Sequence, residues 1–246
     1  MIGISNMANG NVDHSGGGMI VTRTPLRVGF FGGGTDLGVF YRNTPGAVLS
    51  GTINRYVYVT VKRHSELFFE PIRINYSTSE QVNTIDEIKN HIARECLKFL
   101  EIAAPIYIST VGDVPASTGL GGSSAFAVGL LNALHAYKGE RASPGQVAEE
   151  ACHIEIEVLC EPIGKQEQYA AAFGGMNLFT FKPDDGVSVE HLVVDGKGPA
   201  RALFDSMLMF WTGHQRDTSA VLSEQSKNTA AKMTQLTAMR DQAFDI

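Results

Sequence analysis

Hydrophobic and β-branched residues cluster or alternate in short runs along most of the chain, a pattern typical of strands. The run from Tyr56 to Val61 is aromatic or β-branched at every position, which favours a pleated, half-buried surface. The predicted strands are 19–31, 47–53, 56–63, 73–77, 106–111, 176–181 and 207–212.

Apolar residues three and four positions apart predict helices over 85–100, 125–137 and 143–159, and a more polar one over 215–245. Ser143 is a helix-capping residue, Pro144 suits the first helical position, and Gln146 completes a capping box. Strands and helices do not alternate regularly, so the pattern predicts an α+β fold.

Composition narrows the class of protein. The 246 residues are 43% hydrophobic and 19% charged, which is typical of a soluble globular protein. A formal charge of -6 without a basic stripe argues against a nucleic-acid partner, and no apolar run is long enough for a membrane span. Three cysteines without C-x-x-C spacing indicate reduced thiols in a cytoplasmic protein.

Residues 1–18 differ from the rest of the chain. Positions 9–18 are rich in Asn, Gly, Ser and His and contain a single apolar residue, Val12. We interpret 1–18 as a disordered leader or a cloning remnant and expect the fold to begin near Met19.

A loop rich in small residues, 112–124, runs directly into the predicted helix over 125–137. Small residues let the backbone curl around a ligand, and the start of a helix favours an anion. Ser123 and Ser124 add hydroxyl groups where a phosphate-bound Mg²⁺ can sit. The loop has no P-loop lysine, and Ser124 replaces the third glycine of the dinucleotide fingerprint. A phosphate-binding loop and an ordinary turn before a core helix both remain open.

A second informative run, 24–36, is a strand that ends in three glycines followed by Thr35 and Asp36. An acidic residue beside an open glycine turn can accept hydrogen bonds from the hydroxyl groups of a sugar. Taken alone, the run is better explained as a tight turn in which Asp36 caps the next helix.

Cys152, His153, Glu155, Glu157 and Cys160 lie close together in sequence. Their spacing fits no standard zinc site, and Cys152 and His153 would point about 100° apart on a helix. Zinc is therefore the disfavoured interpretation of this group.

Three segments resemble the GHMP kinases, the family that includes galactokinase and mevalonate kinase. The glycine loop is similar to the signature P-x-x-x-G-L-G-S-S-A, matched at Pro115, Gly119, Leu120, Gly121, Ser123 and Ala125, with Gly122 where the first Ser is usual. The earlier run is similar to P-G-R-V-N-L-I-G-E-H-T-D, matched at Pro25, Arg27, Val28, Gly32, Thr35 and Asp36, with Gly33 and Gly34 in place of Glu-His. Segment 164–175 resembles G-K-Q-D-Q-Y-A-A-A-F-G-G of the heptose-phosphate kinases, with Glu167 in place of Asp.

The resemblance implies a two-domain fold. The N-terminal domain, expected over 19–183, would be similar to ribosomal protein S5 domain 2 and would bind the nucleotide. The C-terminal domain would be ferredoxin-like, and 184–246 would be only its truncated start, because no glycine follows Gly213 and the family's third, glycine-rich signature is absent.

The resemblance also implies roles for individual residues. ATP phosphates would be held by Pro115, Gly119, Leu120, Gly121, Gly122, Ser123 and Ser124. Ser123 and Glu155 would ligate Mg²⁺, and Glu167 would be the catalytic base, with Arg27 or Lys165 stabilising charge. The sugar would be bound by Gly33, Gly34, Thr35 and Asp36, and its phosphate by Arg216 of the segment T-G-x-x-R.

The implied activity is transfer of the γ-phosphate of ATP to the anomeric hydroxyl group of D-glycero-D-manno-heptose 7-phosphate, a small-molecule partner on the way to surface polysaccharides. Kinases for fucose or an octose phosphate, and a catalytically silent sugar- and ATP-binding regulator, are the alternatives. Glu167 and the missing glycine-rich signature favour the regulator, whereas Ser123, Glu155 and Asp36 favour an enzyme. Monomer and homodimer are both open.

Overall fold

The computed structural model describes residues 18–194, 198–210, 213 and 232–245. Its strands are β1 (Ile20–Phe31), β2 (Gly46–Arg63), β3 (Ile72–Asn75), β4 (Ser79–Val82), β5 (Ile106–Gly112), β6 (Met176–Phe181) and β7 (Val187–Leu192). Its helices are α1 (Gly38–Tyr41), α2 (His91–Phe99), α3 (Gly122–Tyr137), α4 (Pro144–Cys152), α5 (Gln166–Phe173), α6 (Pro199–Ser206) and α7 (Met233–Phe244). The predicted leader lies outside the described residues except for Gly18.

The strands form one mixed sheet in the order β4-β3-β5-β2-β6-β7, with β1 also paired to β2. All pairs are antiparallel except β3 with β5, which is parallel. This arrangement, together with the helices, agrees with the predicted α+β class.

Strand β2 corrects one sequence prediction. Segments 47–53 and 56–63 are halves of one strand of 18 residues, and not two separate strands. The polar pair Asn54–Arg55 indicates a turn, but both residues are exposed within a continuous strand. The first half of β2 pairs with β6 and the second with β5, so one strand joins the two parts of the sheet.

The main core lies between the sheet and α2 and α3. Val57, Val59 and Val61 are buried beneath α3, while the alternate side chains of β2 face the other side of the sheet. Helix α3 is apolar on almost every side, and this matches its position, since it is covered by the sheet and by neighbouring helices. Its start, at the end of the glycine loop, is consequently fixed.

The predicted helix over 85–100 is interrupted. Ile85–Glu87 is a short 3-10 turn, and α2 begins only at His91. The chain turns because the Glu80 carboxylate accepts hydrogen bonds from the backbone N–H groups of Lys89 (2.6 Å) and Asn90 (2.9 Å). The Asn90 side chain then caps α2 by accepting from the N–H of Ala93 at 3.0 Å.

The predicted helix over 143–159 is also divided. Ser143 caps α4 as expected, with its Oγ 3.2 Å from the N–H of Gln146. At His153 the helix widens into a π turn that continues to Val158. Such turns add a residue to a helix and are frequent at functional sites.

The C-terminal part departs most from prediction. Met207–Phe210 was predicted as part of a strand over 207–212, which is wrong for these four residues: they follow α6, form no regular element and are exposed. Residues 211 and 212 lie outside the described chain. Of the helix predicted over 215–245, only Met233–Phe244 is described, and it is helical.

Strand β7 lies beyond residue 183 yet extends the same sheet. The division into domains at this residue stays a prediction. No helix in the described part of the chain combines the length and apolar character that a membrane span needs.

Candidate active site

A cavity of about 1040 Å³ opens along the glycine loop. It is bounded by the loop, Val57 of β2, the end of β5, the start of α2 and the segment before α5. Its lining includes Tyr76, Asn90, His91, Val111, Ser117, Gly119, Gly121, Gly122, Ser123, Ser124, Phe126, Glu155, Glu161 and Glu167. The cavity is large enough for a nucleotide.

The glycine loop is tied down at its start and needs glycine at its end. The backbone N–H of Tyr56 donates to Oδ2 of Asp113 at 2.9 Å, which holds the loop to β2. Gly119 and Gly121 have φ angles of 75° and 76°, which a side chain disfavours. Gly121 is the N-cap residue of α3, so the loop passes directly to the N-terminus of that helix.

Six of the seven predicted phosphate-binding residues line the cavity. They are Pro115, Gly119, Gly121, Gly122, Ser123 and Ser124. Leu120 instead packs against the core, and its carbonyl oxygen accepts the N–H of Arg27 at 3.1 Å. The loop is thereby joined to β1.

Arg27 and Glu167 form an ion pair beside the loop. The Arg27 guanidinium donates to the Glu167 carboxylate and, through Nη1, to the carbonyl oxygen of Gly119 at 2.8 Å. Its Nε is buried and has no hydrogen-bond partner among the described residues. A guanidinium placed in this way can serve a carboxylate and an incoming phosphoryl group together.

Glu155 and Ser123 also lie side by side. Ser123 donates its hydroxyl to Oε1 of Glu155 at 3.0 Å, and Nε2 of Gln168 donates to Oε2 at 2.7 Å. Glu155 is 1% exposed, and burial raises its pKa to about 7, although neighbouring hydroxyl and amide donors oppose this effect. The π turn presents this carboxylate to the cavity.

The pair of oxygen donors fits Mg²⁺. A serine hydroxyl and a carboxylate at the cavity wall are the hard ligands that a nucleotide-bound magnesium ion accepts from proteins. In the described part of the chain, no group of three or more His, Cys, Asp and Glu side chains is arranged for a metal. Two protein ligands are compatible with a metal carried mainly by ATP phosphates.

Asp36 is buried and fully engaged. Its carboxylate accepts hydrogen bonds from the N–H of Gly34 (3.0 Å), the N–H of Gln166 (3.2 Å) and Nε2 of Gln166 (3.0 Å). Burial raises its pKa, an effect opposed by these donors and increased by the nearby charge of Glu167. Asp36 therefore fixes the start of α5, and a sugar hydroxyl would have to displace one of its donors.

The glycine turn before Asp36 is built around Thr35. The buried Thr35 hydroxyl lies within hydrogen-bond distance of the carbonyl oxygens of Gly32 (2.7 Å) and Ala47 (2.9 Å), and it can donate to one of them at a time. A Cβ on Gly32 would lie 1.8 Å from the Ala47 oxygen, so glycine is required there. Gly33 faces open space and is the most accessible of the predicted sugar-binding residues, whereas Thr35 has a structural contact.

Lys165 is not among the residues that line the cavity. The Lys165 ammonium donates to the Asp185 carbonyl oxygen at 2.8 Å, on the far side of α5. Lys165 therefore makes no contact with Glu167 that would support a charge-stabilising role. Arg216 lies outside the described residues.

Sequence reasoning missed Gln166 and Gln168, which hold Asp36 and Glu155. Both stand beside Glu167 in the segment that resembles the heptose-phosphate kinases, and this proximity was the available signal. Tyr76, Asn90 and His91, which line the far end of the cavity, carry no motif.

Residues 83–175 match the family model described as GHMP kinases N terminal domain. The chain is 32% identical to D-glycero-alpha-D-manno-heptose 7-phosphate kinase of Campylobacter jejuni over 185 residues, which is 70% of this chain and 54% of that protein. It is 23% identical to galactokinase of Thermotoga maritima over 188 residues, 75% of this chain and 52% of the relative. The chain thus spans about half the length of these curated relatives.

Solved structures show the same fold. The crystal structure of a D-glycero-D-manno-heptose 1-phosphate kinase from Bacteroides thetaiotaomicron superposes with a TM-score of 0.69 and 25% identity, covering 91% of this chain and 75% of that one. The mevalonate kinase of Methanococcus jannaschii superposes with a TM-score of 0.62 at 17% identity, covering 93% and 73% of the two chains.

Proposed function

Because this chain belongs to the GHMP kinase superfamily, we propose that it transfers the γ-phosphoryl group of ATP to a hydroxyl group of a sugar phosphate. The proposed acceptor is the anomeric hydroxyl group of D-glycero-D-manno-heptose 7-phosphate. The observation that carries the proposal is the Arg27–Glu167 ion pair beside the glycine loop, next to the Ser123–Glu155 pair.

The glycine loop would hold the phosphates of ATP. Its residues line a cavity that ends at the N-terminus of α3, where backbone N–H groups and the helix dipole favour negative charge. The distal part of the cavity, around Tyr76 and Asn90, leaves room for the nucleoside.

Ser123 and Glu155 would hold Mg²⁺, and Gln168 would keep the Glu155 carboxylate aimed at it. When bound, the ion would neutralise charge on the phosphates. The Gln168 amide is neutral, so it orients this carboxylate and leaves its negative charge intact. A lysine or arginine in its place would cancel that charge.

Glu167 would accept the proton of the attacking hydroxyl group. Arg27 would keep the Glu167 carboxylate in place and stabilise charge on the transferred group, since its guanidinium lies beside both that carboxylate and the glycine loop. Asp36 would position the acceptor side through the glycine turn and α5. Catalysis would rest mainly on positioning and charge neutralisation.

The test is ADP release by the purified chain with Mg-ATP and D-glycero-D-manno-heptose 7-phosphate, with the product identified by phosphorus NMR. We expect a 1,7-bisphosphate, and we expect Glu167→Gln to abolish its formation. Glu190→Gln, at an exposed glutamate of β7, is the matched control and should leave the rate unchanged. Product from galactose, fucose or an octose phosphate instead would reassign the substrate.

Glu167 in place of aspartate favours one alternative, a sugar- and ATP-binding regulator. Calorimetry separates the two functions. Binding of ATP and the sugar phosphate without ADP release would identify the regulator, whereas turnover would exclude it.

A further inference from the structure

Lys165 lies at the start of the helix that carries Glu167, yet its side chain points away from the cavity. Lys165 is only 9% exposed, and its ammonium lies 2.8 Å from the carbonyl oxygen of Asp185. The same ammonium lies 5.6 Å from the centre of the Tyr41 ring, within the range of a cation–π contact. A lysine so enclosed is held in one position.

The acceptor of this hydrogen bond is itself held firmly. Asp185 lies in the turn between β6 and β7 and has a φ of 66°. Its carboxylate accepts from the Tyr41 hydroxyl at 2.7 Å and from Nε of Arg42 at 3.2 Å. The hydrogen bond from Tyr41 and the charges of Arg42 and Lys165 hold the pKa of Asp185 below its ordinary value, so it stays ionised at neutral pH. Lys165, Tyr41, Arg42 and Asp185 therefore form one cluster, called here the turn latch.

The turn latch and Asp36 fix the start of α5 from two directions. Asp36 accepts from the N–H and the side chain of Gln166, while Lys165, one residue earlier, is bound to the β6–β7 turn. Glu167 is the next residue of the helix, and its carboxylate must meet Arg27. A displacement of about 1 Å at a reacting group can cost about a hundredfold in rate.

We propose that Lys165 is a positioning residue that acts through the turn latch to set the direction of α5 and hence the place of Glu167. The proposal rests on the proposed function for its effect on rate, but the latch itself can be tested without turnover. It replaces the charge-stabilising role that the sequence resemblance implies for this lysine.

A double-mutant cycle distinguishes the two roles. Lys165→Met removes the ammonium, and Tyr41→Phe removes one hydroxyl while keeping the buried ring. If both act through the latch, each lowers kcat by roughly 10- to 100-fold and the double variant is about as slow as the slower single variant. The KM for ATP stays within about twofold, because Lys165 does not touch the glycine loop. Lys182→Met, at an exposed lysine of the same turn, is the control and should match the wild type.

Amide hydrogen exchange tests the turn latch without any measurement of enzyme activity. Both single variants should raise exchange in 165–173, where the N–H of Tyr169 donates to the Lys165 carbonyl oxygen, and leave 113–124 unchanged. Asp185→Asn tolerates the positive φ and keeps the carbonyl oxygen that accepts from Lys165, but it removes the charge that Arg42 and Tyr41 contact. It should also raise exchange in 165–173, and it serves as the second test if Lys165→Met fails to fold. Multiplicative losses in kcat with a raised KM for ATP and unchanged exchange would overturn the proposal. Raised exchange in a chain that turns over no substrate would instead keep the latch and reject the proposed function.

Discussion

At the scale of single residues, Glu155 combines burial with charge. Its ordinary pKa is 4.5, and burial raises this to about 7 in the folded chain. In the pH window between these values the folded state binds a proton that the unfolded state has lost, so stability falls as pH rises. A shift of this size corresponds to about 3 kcal/mol in the free energy of unfolding.

We predict that Glu155→Gln removes this dependence. In metal-free buffer the wild type should lose stability between pH 5 and pH 8, whereas the variant should lose about 3 kcal/mol less. Glutamine fits the site because its carbonyl can accept from Gln168 and its amide can donate to Ser123. Chemical denaturation at each pH measures the difference. Glu157→Gln, at an exposed position of the same turn, is the control, and equal slopes for wild type and Glu155→Gln would contradict the prediction.

The length of the Glu167 side chain affects where its carboxylate lies. The glutamate side chain already reaches Arg27, and an aspartate would be one methylene shorter. If glutamate holds the base out of place for the acceptor, Glu167→Asp should raise kcat by about tenfold or more.

Steady-state ADP release measures this effect, with Glu167→Gln as the inactive reference. An unchanged rate would show that the longer side chain is already well placed. A lower rate would show that the ion pair with Arg27 needs the full length of glutamate.

The sequence singled out Arg27, Ser123, Glu155 and Glu167, and the structure places them in two contacting pairs, while their roles stay predictions. Arg27, Ser123 and Glu167 lie in segments whose order and spacing are distinctive, and Glu155 lies about a dozen residues before Glu167, as the resemblance requires. The sequence could not show the direction of Lys165, because that depends on Asp185, twenty positions later and in no motif. The same limit applies to Asp36, whose donors come from Gln166.

At the scale of elements, α3 shows how close packing fixes the glycine loop. Gly129 lies against the sheet, where an added Cβ would be 2.6 Å from Oγ1 of Thr24 and 3.3 Å from Cγ2 of Val59. Gly122, in the first turn of the same helix, has nothing within 4 Å of an added Cβ. The two glycines thus serve different purposes.

We predict that Gly129→Ala destabilises the fold by about 1–3 kcal/mol, since the helix must move away from β1. Gly122→Ala is the matched control and should be neutral or slightly stabilising, because alanine is the better helix former. Urea denaturation gives both values. An equal loss at the two positions would contradict the packing argument.

Element boundaries were predictable where the signal was local. Ser143 correctly marked the start of α4, and the alternation over 19–31 correctly marked β1. The break before α2 was not predictable, because it is caused by Glu80, a residue of β4 that the sequence did not identify as a strand. The π turn likewise leaves the apolar spacing almost unchanged and so gave no signal.

At the scale of the whole molecule, the first half of β2 is covered on both faces. Val48 packs with Phe179 and Tyr169 under α4 and α5, while Leu49 belongs to a separate cluster with Ala243 of α7. Arg240 of α7 adds hydrogen bonds to Oγ1 of Thr44 (3.0 Å) and to the carbonyl oxygen of Pro45 (3.3 Å). Helix α7 therefore covers the first half of β2 and the segment just before it.

We predict that Ala243→Asp releases α7, because an uncompensated buried charge costs roughly 3 kcal/mol or more. The expected signs are a lower melting temperature, binding of a hydrophobic dye and proteolytic cleavage near 233–244. Met239→Asp is the control, because Met239 lies on the same helix and is 41% exposed. Equal cleavage of the two variants would show that α7 is not held by this contact.

The family was recognisable because three separate segments agree in order and type. The sheet order was not, because the parallel pairing of β3 with β5 depends on contacts between distant parts of the chain. Neither composition nor periodicity indicates that residues 123, 155 and 167 line one cavity, or that residue 27 pairs with residue 167.

The continuity of β2 has a practical consequence for dividing the protein into complementing fragments. The polar pair Asn54–Arg55 is an obvious place to cut, yet a cut there would divide the one strand that pairs with β6 through its first half and with β5 through its second. The connection between β2 and β3 is the better choice. Leu67 is 95% exposed there, and separating the chain at that point would leave every pairing of β2 with β1, β5 and β6 available for reassembly.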